Sequence, residues 1–252
     1  MNKRKVIFMG SKPVGYKCLK ILLGNRNVEV SGVLTRKKGQ DVWWDNKYRV
    51  YRLASKNNIP ILNVSEVLET EIDFIFSIQY HKILDKKVLE HPNYGAINLH
   101  MAPLPEYRGC NQFSFAIINK ENYFGTTLHY MDASIDSGDI IAEKRFKISE
   151  NIRVNELYEI TEKKSVELFK ENLTDILDLD VKSIPQDDFV KNRGCNYYKR
   201  EDIYEIKELN LSWSKEKIYR YIRALDFPPF EPPYLKIDNK KIYLTFEKNR
   251  GD

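Results

Sequence analysis

Asn98 and His100 stand two residues apart in Tyr94-Gly95-Ala96-Ile97-Asn98-Leu99-His100, a short, mostly apolar stretch that reads as a buried strand. Alternation along a strand sends both side chains to one face and Leu99 to the other. Pro103-Leu104-Pro105 cannot continue a helix or a sheet interior, so the chain must leave the strand directly after His100. A strand end thereby becomes a polar pocket. Asp136 precedes Ser137-Gly138, a turn signal that can bring a carboxylate back to that strand end. Amide, imidazole and carboxylate together suffice for acyl transfer to an amine: a donor for a developing oxyanion, a base, and a group that orients the base. His129 is the rival base. Gly125 to Met131 alternates like a strand, with Thr127, His129 and Met131 on one face. His100 is preferred because Asn98 shares its face.

Several elements must position these residues. Val6-Ile7-Phe8-Met9, the turn Gly10-Ser11-Lys12, and Cys18, Leu19, Leu22 and Leu23 at helical spacing read as a first strand, a connection and a helix. The turn reads equally as a plain βα connection and as backbone N–H groups of Gly10, Ser11 and Lys12 turned toward an anionic or hydroxyl-rich ligand at the helix start. The spacing fits neither a GxGxxG fingerprint nor a Walker loop. Residues 28–34 form a second strand, and the basic loop from Arg36 carries Trp43 and Trp44. A helix over 47–57, a strand over 59–62, a helical turn over 64–69 and a central apolar strand over 73–77 follow. A helix over 111–118, strands over 125–131 and 140–146, and a long helix over 154–177 with Leu157, Ile160, Leu168 and Ile176 on its apolar positions complete an α/β pattern. The fold class is a Rossmann-like, doubly wound, mostly parallel sheet with a small C-terminal appendage. Pro185-Gln186-Asp187 marks a linker, dividing residues 1–185 from residues 186–252. The latter hold a helix over 218–225, the proline-aromatic run Phe227 to Tyr234, and a hairpin over 235–244.

The chain has 252 residues and a net charge of +5, which suits an anionic small substrate as well as weak nucleic-acid contact and does not by itself predict nucleic acid, so no nucleic-acid partner is expected. Three cysteines, Cys18, Cys110 and Cys195, lack metal-ligand spacing, and their odd number argues against a disulfide framework. The apolar run after Lys3-Arg4-Lys5 is only four residues long, too short for a signal sequence or a membrane span. A cytoplasmic protein with no membrane partner and no metal is expected.

Asn98-Leu99-His100, then Leu104-Pro105-Glu106-Tyr107-Arg108-Gly109, then Asp136-Ser137-Gly138-Asp139 resemble the signature of the folate-dependent formyltransferases. The resemblance runs from about Lys5 to about residue 145, with a tyrosine-rich echo at Asn196 to Arg200. It implies N10-formyltetrahydrofolate as co-substrate and Asn98, His100 and Asp136 as the catalytic set. It places folate against Ile78, Gln79, Tyr80 and Ile83 from one side, and against Ser134, Ile135 and Asp139 from the other. It assigns substrate contacts to Met101, Pro103, Tyr107 and Arg108. Lys82 stands where a phosphate could be met, and reads equally as a solvated lysine at a helix start. Phe230 and Tyr234 stand where an aromatic could stack on a nucleotide base, although the prolines around them could simply cap the surface.

Within the family, a methionyl-tRNA formyltransferase is expected to be longer, with a basic C-terminal barrel. A nucleotide-sugar N-formyltransferase fits better. The expected acceptor is dTDP-4-amino-4,6-dideoxyglucose or a 3-amino counterpart, used in O-antigen, lipopolysaccharide or other surface polysaccharide, and a homodimer is implied. A methionyl-tRNA formyltransferase-like enzyme and a formyltetrahydrofolate hydrolase remain as alternatives.

Overall fold

The computed structural model describes residues 3–36 and 45–246, so the Trp43-Trp44 loop lies outside the described residues. In chain order, β1 (Arg4–Gly10), α1 (Lys12–Gly24), β2 (Val28–Leu34), α2 (Val50–Lys56), α3 (Val64–Leu68), β3 (Phe74–Ile78), α4 (Lys86–Leu89) and β4 (Ala96–His100) form the first half. Next come β5 (Arg108–Gly109), α5 (Gln112–Ile118), β6 (Tyr123–Tyr130), β7 (Ile140–Lys147) and α6 (Val154–Asp178). The last part holds α7 (Asp187–Arg193), β8 (Tyr197–Tyr198), α8 (Asp202–Glu205), α9 (Lys215–Leu225), β9 (Tyr234–Ile237) and β10 (Lys240–Tyr243). Six strands make the central sheet in the order β2-β1-β3-β4-β6-β7. The first four run parallel, whereas β6 is antiparallel to β4 and β7 antiparallel to β6. The expected mostly parallel α/β sheet is what the chain forms.

Period-2 alternation explains why the sheet is covered on both faces. Val6 and Phe8 of β1 enter one apolar cluster with Leu19 of α1, Phe76 of β3 and Phe169 of α6. Ile7 and Met9 enter the opposite cluster with Ile75, Val67 and Val88. Each fully buried side chain of this kind contributes about 1.5–3 kcal/mol over its exposed state. Ala224 and Leu225 of α9 belong to the first cluster, so the C-terminal part shares a core with the sheet.

Three local expectations are revised. The strand expected at 59–62 shrinks to a single bridge between Val33 and Ile61, because Pro60 has no N–H to extend the ladder. The helix expected over 47–57 breaks at Arg49, whose backbone is extended. Ile160 is exposed, since the buried stripe of α6 runs through Leu157, Thr161, Ser165, Leu168 and Ile176 and passes it by.

The strand order reverses on either side of β1, and in open α/β sheets the crevice at such a switch point takes ligands. Ser11 and Lys12 follow β1 there, and Gln79 follows β3. At the end of β4, the buried Thr126 hydroxyl donates to the His100 carbonyl at 2.8 Å and lies 2.7 Å from the Ser165 hydroxyl of α6. The chain exit after His100 is therefore tied to the longest helix.

Candidate active site

Asn98 and His100 face one cavity, as the strand alternation requires. The antiparallel register sets Asn98 opposite His129 and His100 opposite Thr127. His129 lies 2.7 Å from the Tyr130 carbonyl through Nδ1, and a carbonyl only accepts, so Nδ1 carries the hydrogen. Its Nε2 is then the lone-pair nitrogen, and it receives the Asn98 amide at 3.0 Å. The other Asn98 amide hydrogen points toward Asp136 Oδ1 at 3.4 Å. Turning the amide over would set two oxygens against each other, so Asp136 fixes this orientation. Both hydrogens expected to meet an oxyanion are thus engaged within the protein, and the Asn98 carbonyl oxygen is the atom left to accept.

His100 donates from Nε2 to the Tyr107 carbonyl at 2.7 Å. Its remaining nitrogen, Nδ1, lies 3.6 Å from Asp136 Oδ2, an electrostatic contact rather than a hydrogen bond. His129 approaches the same carboxylate at 3.7 Å. Burial opposes ionisation of Asp136, but the neighbouring His100 ring and the Gly109 N–H outweigh it and hold the carboxyl well below the usual carboxylate range.

Asp136 has φ +53°, a left-handed backbone unusual for a non-glycine residue, and its Oδ2 accepts from the Gly109 N–H at 2.9 Å. Gly109 in turn sits where β5 pairs with β8, with φ +88°. A Cβ there would lie 2.2 Å from the Tyr198 carbonyl oxygen, so β8 can approach only a glycine. Gly109→Ala is expected to destabilise the protein by about 2–4 kcal/mol and to pull the N–H away from Asp136. A melting temperature and an activity both equal to the parent's would contradict this account.

The sequence profile of the formyl transferase family matches residues 19–173, more than half of the chain, and spans Asn98, His100 and Asp136. The chain belongs to the formyl transferase family. Methionyl-tRNA formyltransferase of Clostridium novyi is 31% identical over 98% of this chain and 82% of its own length. The N-formyltransferase of Helicobacter canadensis, solved with folinic acid and dTDP-3-aminofucose, superposes with TM-score 0.78 and 25% identity over 96% of this chain and 86% of its own. WlaRD, a sugar 3N-formyl transferase solved with dTDP and 5-N-formyl-THF, gives TM-score 0.78 and 27% identity over 96% and 85% of the two chains.

This formyl transferase has a cavity of about 1250 Å³ around the cluster, larger than the 300–1,000 Å³ of a typical single-ligand site. It brings together Ser11, Lys12, Gln79, Tyr80, Lys82 and Ile83 with Ser134, Ile135, Asp136 and Phe230. Ile83 is 81% exposed and Ile135 40%, so both present apolar surface at its wall. The Ser11 hydroxyl is buried and has no hydrogen-bond partner among the described residues.

Eight of the expected contacts, including those of Gly10 and Ile78 through the backbone, are not among the residues that line this cavity. The Cβ position of Gly10 is filled by the Phe8 ring and the Ile78 carbonyl, and the Ile78 side chain is buried in the core. Met101 is also in the core, and the Pro103 carbonyl closes a turn by accepting from Tyr107 N–H. Tyr107 turns inward, donating to Glu121 at 2.7 Å and stacking on Tyr198. Arg108 binds Gln186. Asp139 accepts from the Ser183 hydroxyl and through its carbonyl from Tyr130 N–H. Tyr234 exchanges backbone bonds with Lys207 and Leu209, while its ring lies under Lys241.

Tyr158, Lys199, Arg200 and Lys207 also line this wall, and the sequence motifs assign none of them a contact. Lys199 and Arg200 belong to the tyrosine-rich segment already singled out, and their charge beside it was the available signal. Among the described residues, no cluster of three or more His, Cys, Asp or Glu could hold a metal ion, and no helix is long and apolar enough to cross a membrane.

Proposed function

We propose that this enzyme moves the formyl group of N10-formyltetrahydrofolate to the amine of a nucleotide-linked amino sugar, with a dTDP-linked aminodideoxyhexose as acceptor. The observation that carries this reading is one cavity with three chemistries on its wall: the Asn98–His100–Asp136 cluster, the apolar Ile83 and Ile135, and an aromatic and cationic region. Phe230 and Tyr204 offer rings for a base, while Lys12, Lys199 and Arg200 offer charge for a diphosphate. The buried Ser11 hydroxyl adds a neutral donor beside Lys12, whereas the Ser11 N–H is already given to the Ile78 carbonyl at 3.2 Å. Likeness to WlaRD and to the Helicobacter canadensis enzyme supports folate and a dTDP-sugar as the pair of ligands. The homodimer implied by the family resemblance belongs to this reading, and exposed Ile237 and Ile242, which share one face of the β9–β10 hairpin, supply an apolar patch for it.

In this mechanism the Asn98 carbonyl oxygen accepts an N–H of the incoming amine and aims its lone pair at the formyl carbon. A new C–N bond forms, and the bond from the formyl carbon to N10 breaks. The amine gives up one proton, and N10 gains one. His100 Nδ1, backed by Asp136, is the group that relays it and faces the transient oxyanion.

Likeness to methionyl-tRNA formyltransferase of Clostridium novyi supports methionyl-tRNA as the competing acceptor. Incubation with N10-formyltetrahydrofolate and a panel of dTDP-, UDP- and GDP-linked amino sugars, with Met-tRNA alongside, separates the two by the mass of each acceptor. One formyl group gained by an amino sugar is the expected result. A gain by tRNA alone, or formate with no acylated acceptor, would replace the reading with a tRNA enzyme or a hydrolase.

Lys12 gives this function a pH signature. Burial first, then Arg200, lowers its pKa to about 8, and its ammonium donates to Gln79 at 2.8 Å. The cation is therefore lost as pH rises through about 8, and an anionic acceptor binds less well above that point. KM for the nucleotide sugar should climb over this range in the parent. In Lys12→Met it should be high throughout with no such climb; an unchanged profile would remove Lys12 from the anion site.

A further inference from the structure

We infer that Gln186 is a positioning residue for Asp136 and acts as one unit with Arg108. The inference rests on the role given to Asp136 in the proposed function. Gln186 lies at the junction read from sequence as a linker, yet it is only 3% exposed. Its Nε2 donates to the Asp136 carbonyl at 3.0 Å and to the Gly138 carbonyl at 2.8 Å. Its Oε1 accepts from Arg108 Nε at 3.0 Å and from Nη2 at 2.8 Å. Two amide hydrogens and two lone pairs are the full capacity of a glutamine side chain, and all four are used.

The bonds close on themselves. Arg108 is followed by Gly109, whose N–H holds the Asp136 carboxylate at 2.9 Å. The circuit runs from the Arg108 guanidinium through Gln186 to the Asp136 main chain, out along the Asp136 side chain, and back through Gly109. A left-handed non-glycine backbone persists only where its surroundings over-determine it. Gln186 supplies that constraint on the backbone side and Gly109 on the carboxylate side. Neither Gln186 nor Arg108 lines the cavity. Their loss should therefore misplace the carboxylate while leaving the ligand-contacting surface in place.

Two variants test this. Gln186→Glu keeps an acceptor for Arg108 but sets an anionic oxygen against two carbonyls. Arg108→Lys keeps Gln186 but replaces a bidentate fork by a point donor. In Gln186→Glu, kcat is expected to fall by about 10- to 100-fold, with KM for both substrates within about twofold of the parent. Arg108→Lys should fall in the same direction by a smaller factor. As Asp136 loses its partners its carboxyl titrates at higher pH, so the acid limb of kcat/KM moves up in both variants. A 13C-carboxyl titration of Asp136 should move the same way. That readout needs no acceptor, so a wrong acceptor assignment leaves it standing. If Gln186→Glu does not fold, Arg108→Lys alone decides. A kcat within about threefold of the parent, a rise confined to KM, or an unshifted Asp136 titration would overturn the inference.

Discussion

Asp136→Asn is expected to lower formyl transfer by about 10²- to 10⁴-fold in a protein that still folds, the range spanned by losing an acid–base relay. The substitution conserves shape, and its carbonyl oxygen can still accept from the Gly109 N–H. The charge is what disappears. His100 Nδ1 then faces no anion at 3.6 Å, and the Asn98 amide loses the carboxylate that fixes which way round it sits. Both reacting groups are disoriented by one change, which is why this effect should be among the largest. Single-turnover transfer at saturating substrates measures it, and a rate within about tenfold of the parent would remove Asp136 from the relay. Stability carries a matching sign. The carboxyl titrates lower in the folded state than in the unfolded one, so its contribution is present above the unfolded value and fades as pH falls toward the folded one. Asp136→Asn should melt below the parent at neutral pH, and the two should converge in acid.

His100→Ala should cost about 10²–10⁴ in kcat, while His129→Gln should cost far less. The two rings are nearly perpendicular neighbours, 6.4 Å apart, and both approach Asp136, so proximity does not rank them. Hydrogen-bond accounting does. Both nitrogens of His129 are used inside the protein, Nδ1 by Tyr130 and Nε2 by Asn98. His100 commits only Nε2 to the backbone and keeps Nδ1 for Asp136 and the reacting atoms. Glutamine at 129 retains a side-chain acceptor for Asn98, whereas alanine at 100 removes the relay. Rate constants from rapid quench for the two variants give the order directly, and a larger loss at 129 would transfer the relay to His129.

Much of this was legible in the chain because it depends on short-range rules. Alternation alone puts Asn98 and His100 on one face, and the proline run after them forces a strand end. Buried apolar runs mark β1 and β3, and a turn signal marks Asp136. What stayed hidden depends on pairing over long separations. The partnership of Asn98 with His129 follows from the β4–β6 register, which no local pattern states. Gln186 sits between Pro185 and Asp187 in a stretch whose composition reads as a connector, and only the fold shows its amide saturated. Tyr107 and Arg108 belong to the motif that gave the family away, yet their side chains turn inward and brace the loops. A motif residue can thus serve the site without touching it.

The pairing of β5 with β8 has a temporal side. A chain that emerges from the ribosome N-terminus first has all six strands of the central sheet available once Lys147 has been made. Asp136 acquires its backbone anchor only when Gln186 follows, and Gly109 meets its neighbour only when Tyr198 does. The nascent protein can therefore be folded in its greater part and still be chemically silent. Competence arrives late, as a short crossing segment is laid over a finished sheet.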